Sequence, residues 1–95
     1  MPDNLFIKPE VLEQIRSTIH SVSPEAIVWA YGSRVTGDFH DGSDLDLAVI
    51  EGDVVQIKIA LQESDIPFLI DVLDFHSAPE SFRGEIEKNH IVITS

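Results

Sequence analysis

Apolar residues recur along this chain with two different periods, and each change of period marks a helix giving way to a strand. Val11, Leu12, Ile15 and Ile19 return every three to four residues, which predicts one buried stripe of a helix starting at Pro9. Proline suits a first helical turn because its missing N–H would have had no partner there. Ser23-Pro24 closes this helix, since the residue before a proline is pushed out of the helical region. Ile27 to Tyr31 is a compact run of β-branched, aromatic and small apolar residues and predicts a buried strand. Residues 1–8 precede the pattern and read as an N-terminal arm.

Gly32-Ser33 then turns the chain, a short helix or loop runs to about Gly37, and the Asp, His and Gly of Asp38 to Ser43 predict a loop. Leu45 to Ile50 is a second strand, broken by Gly52. Asp53 can cap a helix running to about Glu63, with Val54, Ile57 and Leu61 facing inward. A third strand spans about Phe68 to Asp74, where Leu69, Asp71 and Leu73 share one face and Ile70 and Val72 the other. Ser77 and Glu80 have the spacing of a capping box. Phe82 and Ile86 supply the inner face of a last helix, and Ile91 to Ile93 closes the chain with a β segment. This order predicts an α/β (α+β) fold, a small mixed β-sheet flanked by helices, in a single domain over residues 1–95.

Composition narrows the function classes. The chain has 95 residues, enough for one core and too few for a second domain that would bind an acceptor substrate. Its formal net charge of −11 repels nucleic-acid backbones, so no direct nucleic-acid partner is expected. The charge suits a cationic protein or a bound metal, or simply a solvated acidic surface. The absence of cysteine excludes disulfides and thiolate zinc sites. The N-terminus carries no basic and apolar signal pattern. The longest apolar run, Ala26 to Tyr31, is six residues, so no membrane span is expected. A cytoplasmic location is the resulting expectation.

The candidate chemistry lies in the turn and the second strand. Gly32-Ser33 follows a buried strand, and Asp44 and Asp46 follow at i and i+2, on one face of the next. Gly32 lets backbone N–H groups approach a phosphate without a Cβ in the way. The Ser33 hydroxyl and N–H, at a helix start, can bind the β- or γ-phosphate. Arg34 either adds a cation to the phosphate path or pairs locally at the surface. Two carboxylates on one face are oxygen ligands of the kind Mg²⁺ takes, few in number and supplemented by water and phosphate. Nucleotide transfer needs attack at the α-phosphorus with pyrophosphate leaving, and two Mg²⁺ ions can stabilise both oxygens. A third carboxylate must then sit near the acceptor hydroxyl. Asp71 is the candidate, a charge in an otherwise apolar strand where it would be costly unpaired. Asp74 is the competitor, but alternation puts it on the opposite face. Gly-Ser alone is an ordinary turn and Asp-x-Asp is common in an acidic chain; the spaced combination carries the signal.

At these residues the chain resembles the DNA polymerase β nucleotidyltransferase superfamily. More closely it resembles the minimal nucleotidyltransferase (MNT) branch, the antitoxin half of HEPN/MNT toxin–antitoxin pairs. The matching stretches are Val28-Trp29-Ala30-Tyr31-Gly32-Ser33-Arg34, Ser43-Asp44-Leu45-Asp46-Leu47-Ala48, Asp65-Ile66-Pro67 and Ile70-Asp71-Val72-Leu73-Asp74. The resemblance implies a metal-binding catalytic triad of Asp44, Asp46 and Asp71, with Gly32 and Ser33 on the nucleotide phosphates. It implies Mg²⁺, ATP and a HEPN-domain ribonuclease partner, neutralised by transfer of AMP to a tyrosine or by masking in a complex. A donor site without an acceptor domain independently requires the acceptor to arrive on another molecule. The alternatives are a binding module that acts by occlusion alone and a small-molecule transferase, the latter disfavoured by the missing acceptor domain. His20, His40, His76 and His90 form no pair at metal-ligand spacing and read as surface or loop residues, with His40 placed in the loop before Asp44. Trp29 and Tyr31 read as packing residues.

Overall fold

The computed structural model describes residues 7–32, 44–67 and 69–94. In chain order the elements are α1 (Pro9–Val22), β1 (Ile27–Tyr31), β2 (Leu45–Glu51), α2 (Val54–Gln62), β3 (Ile70–Asp74), a 3₁₀ turn (Phe75–Ser77), α3 (Glu80–Lys88) and β4 (Ile91–Thr94). The strands form one mixed sheet in the order β3-β2-β1-β4. β1 is antiparallel to both neighbours, while β2 and β3 run parallel. A parallel pair needs a crossover, and α2 supplies it.

The two faces of the sheet carry two apolar clusters. On one, Val28 and Ala30 of β1, Leu45, Leu47 and Val49 of β2 and Val72 of β3 pack against Ile15 and Ile19 of α1 and Ile57 and Leu61 of α2. Burying one such side chain contributes roughly 1.5–3 kcal/mol, and most of these are fully buried. On the other face, Ala48, Phe75 and Ile86 pack with Trp29, Tyr31, Ile50 and Leu73, so α3 lies there. The second cluster is smaller, and it leaves part of that face open.

Local chemistry explains the boundaries. Pro9 opens α1, and the Ser23 N–H closes it on the Ile19 carbonyl. The Asp53 carboxylate accepts from the Gln56 N–H and caps α2. At the far end of the sheet Arg16 Nε donates to the Ile93 carbonyl, tying α1 to β4.

Three sequence expectations need correction. β3 begins at Ile70, and Leu69 before it is 74% exposed, while Phe68 lies outside the described residues. Ser77 does not cap α3. It sits in the 3₁₀ turn, its hydroxyl donates to Asp74, and α3 starts after Pro79 without a side-chain cap. Phe82 is not core: it is 41% exposed, because it lies over the cleft edge-on to Tyr31 while Ile86, one turn later, is buried against the sheet.

Candidate active site

β2 and β3 are in register so that Leu45, Asp46 and Leu47 stand beside Ile70, Asp71 and Val72. In a parallel pair, laterally matched residues project to the same face. Asp46 and Asp71 therefore emerge together on the α3 side, while Leu45, Leu47 and Val72 enter the α1/α2 core. Asp44, exposed and two residues before Asp46, adjoins the pair at the mouth of β2. The Leu45 N–H donates to the Leu69 carbonyl at 3.0 Å and holds this entry to β3.

From the other side β1 brings Tyr31 opposite Asp46, and Gly32 follows with φ +86°. A Cβ at Gly32 would stand 2.5 Å from Asp46 Oδ2, so the carboxylate fills the space that any other residue's side chain would need. Glycine is required here twice over, for its backbone angle and for this close approach.

The electrostatics are those of crowded like charges. The Asp46 carboxyl is pushed above its ordinary value of 3.8, first by burial, then by the Asp71 and Asp44 charges. Burial, followed by Asp46 and Asp71, likewise pushes the Tyr31 phenol up to about 12. Tyr31 therefore remains a neutral hydroxyl at physiological pH. The cluster is all oxygen and self-repelling, with Asp46 half-buried between the exposed Asp44 and Asp71, which suits a hard divalent cation such as Mg²⁺. Among the described residues no three carboxylates or imidazoles close around one point tightly enough to cage an ion. Asp46 and Asp71 form the paired floor, and Asp44 flanks it. A cation with few protein ligands, completed by water and phosphate, fits that arrangement better than an all-protein cage would.

A cleft of about 500 Å³ opens over this floor, lined by Tyr31, Gly32, Asp46 and Asp71 from the sheet and by Phe82, Glu85, Ile86 and Asn89 from α3. Tyr31 and Phe82 meet edge to face, with centroids 5.7 Å apart.

Of the residues singled out from sequence, Gly32, Asp44, Asp46 and Asp71 come together. Ser33, Arg34, Gly37 and His40 lie outside the described residues. Asp74 is turned away and occupied: it accepts from the His76 N–H and the Ser77 hydroxyl, capping the 3₁₀ turn. One premise about Asp71 fails. It is exposed on an edge strand, so the cost of burial does not mark it; its register with Asp46 does. Sequence reasoning missed Glu85 and Asn89 and treated Tyr31 and Phe82 as packing. The available signal was the spacing of residues 82, 85, 86 and 89 on one helical stripe that mixes aromatic, charged and amide groups. His90 is also more than a surface residue. It stacks on Trp29 at 3.9 Å, and its Nδ1, facing the Ile86 and Glu87 carbonyls, carries the proton and closes α3.

Residues 13–95 match the family model described as polymerase beta, nucleotidyltransferase. The chain is 39% identical to the probable protein adenylyltransferase MntA of Haemophilus influenzae (strain ATCC 51907 / DSM 11121 / KW20 / Rd), over 94% of this chain and 83% of that protein. Among solved structures, a toxin–antitoxin with AMP-PNP aligns over 88% of this chain and 73% of its own, with a TM-score of 0.73 and 20% identity. A toxin–antitoxin MntA-HepT structure aligns over 93% and 73%, with a TM-score of 0.61 and 15% identity. At these identities the structural likeness establishes the fold.

Proposed function

The chain belongs to the polymerase beta nucleotidyltransferase family, and on that premise we propose that it transfers AMP from ATP to a hydroxyl of a partner protein, as the antitoxin neutralising a HEPN-domain ribonuclease toxin. The observation that carries this reading is the lateral match of Asp46 with Asp71, with Gly32 packed against Asp46. The 39% identity to a protein adenylyltransferase supports the reaction class. The toxin–antitoxin assemblies that share the fold support the kind of partner, and so does the net charge of −11, which suits a cationic protein.

In this reading Asp44 and Asp46, with Asp71, would hold Mg²⁺, which when bound neutralises the triphosphate and the charge developing on it. The acceptor oxygen attacks the α-phosphorus, the bond from that phosphorus to the β-bridging oxygen breaks, and pyrophosphate leaves. The acceptor's proton passes to a carboxylate, and the exposed position of Asp71 on an edge strand supports assigning it this role. Gly32 and Ser33 would bind the phosphates through backbone N–H and hydroxyl groups, with Arg34 as the candidate cation for them. Tyr31, held as a neutral phenol, adds no charge to the cleft.

The test is incubation with labelled ATP, Mg²⁺ and the folded protein encoded next to this one. Label should move to that partner with the wild type and not with Asp44→Asn. Equal outcomes for the two proteins would remove the catalytic reading. If Asp44→Asn/Asp46→Asn still neutralises the partner, masking by complex formation is the mechanism.

A further inference from the structure

The two walls of the cleft differ in chemistry. The sheet side carries Gly32 and the carboxylate floor. The facing side carries Phe82 and Glu85 of α3 and its C-cap Asn89, at i, i+3 and i+7, together with the buried Ile86. The Glu85 carboxylate repels a phosphate tail, so this wall takes an uncharged group. Phe82, 41% exposed and edge-on to Tyr31, leaves a ring available for stacking. A flat apolar guest alone would leave Glu85 and Asn89 without a purpose. A carboxylate only accepts hydrogen bonds, whereas a carboxamide both donates and accepts. Set one helical turn apart on the same wall, they match a ring edge carrying an amine donor beside a ring-nitrogen acceptor. The side chain of an acceptor tyrosine has no such edge; adenine and cytosine each have one, and the two-ring adenine offers the larger face to Phe82. The cleft's volume of about 500 Å³ is of nucleoside size.

We propose that this wall of α3 is the base subsite and selects adenine: the ring stacks on Phe82, its exocyclic amine donates to Glu85, and the Asn89 amide donates to the adjacent ring nitrogen. The proposal rests on ATP being the donor, as argued above, and goes further by assigning base selection to Phe82 and Glu85 of α3 and its C-cap Asn89.

Calorimetric titration of the full chain, in Mg²⁺, with ATP, ITP, GTP and tripolyphosphate tests it. ITP keeps the purine but replaces the amine with a carbonyl. ATP should bind at least about tenfold more tightly than ITP, the usual effect of losing one hydrogen bond to a charged group. Glu85→Gln should close that gap and leave tripolyphosphate binding unchanged. Phe82→Ala should weaken ATP and ITP alike, again sparing tripolyphosphate. Asn89→Ala is a second surface variant on the same edge and should weaken ATP more than ITP. Far-UV circular dichroism confirms that each variant is folded. The base subsite is overturned if the wild type binds ATP no more tightly than ITP or tripolyphosphate, if it prefers GTP, or if Glu85→Gln keeps the gap. Tripolyphosphate binding without base preference sinks this proposal alone, whereas failure of all four to bind sinks the ATP-donor reading as well.

Discussion

Replacing Gly32 with alanine probes the contact on which the site is built. At φ +86° an alanine is strained by about 1 kcal/mol. Its Cβ would also stand 2.5 Å from Asp46 Oδ2, so the carboxylate must leave its place. Forcing that short side chain off its rotamer costs about 1 kcal/mol more. Gly32→Ala should therefore destabilise the metal-free chain by about 2 kcal/mol. Asp46→Ala removes the obstructing oxygen but leaves the backbone strain. In that background the same change should cost only about 1 kcal/mol, a coupling of about 1 kcal/mol. Equilibrium urea unfolding of the wild type, both single variants and the double variant measures all four terms. If Gly32→Ala costs the same in both backgrounds, to within about 0.3 kcal/mol, the glycine is not there to accommodate the carboxylate. If it costs nothing in either, the turn is not strained.

Asp46→Asn should raise the metal-free melting temperature at neutral pH and abolish stabilisation by Mg²⁺. Because the Asp46 carboxyl is held above 3.8, the folded chain binds that proton more tightly than the unfolded one. Its ionisation is thus a penalty present at neutral pH and relieved as pH falls through the raised value, so melting curves of the two proteins should converge in acid; a gap independent of pH would contradict this. Tyr31 is the sole tyrosine, so ultraviolet titration should find one phenol ionising at about 12 rather than 10.0. Asp46→Asn should lower that value only partway, because burial is the larger cause. Over this interval unfolding releases a proton, so stability falls as pH climbs from 10 towards 12. Asp74→Ala should cost about 1 kcal/mol through its lost cap and keep the thermal shift produced by Mg²⁺ with ATP. Asp71→Ala should do the reverse, and a lost shift in Asp74→Ala would exchange the roles assigned to the two residues.

Where the sequence was legible, a strong period or a proline, glycine or aspartate at an end made it so. The α1 stripe, β1, the Asp53 cap of α2 and the division of β3 into an Asp71 face and a Val72 face all follow from local rules. The i, i+2 spacing likewise placed Asp44 and Asp46 together. The lateral match of Asp46 with Asp71 could not be read in this way, because it depends on how far α2 carries the chain before β3 begins. Burial of Asp71 was inferred from its apolar neighbours, yet β3 is an edge strand, and strand order is a tertiary property. The capping box failed because the chain runs on through Ala78 and Pro79 before α3 begins at Glu80, which leaves Ser77 in the preceding 3₁₀ turn. Phe82 and Ile86 share one stripe, but the cleft separates their fates: Ile86 reaches the sheet while Phe82 overhangs the opening.

The place of β3 at the margin of the sheet bears on the size of what can be modified. Among the described residues Asp71 has β2 on one flank and no strand on the other, and it is exposed. In the transfer proposed above, a hydroxyl borne on a bulky, already folded surface would therefore come in from the side without the domain having to hinge apart. A carboxylate on a central strand would admit only what fits down a shaft from above.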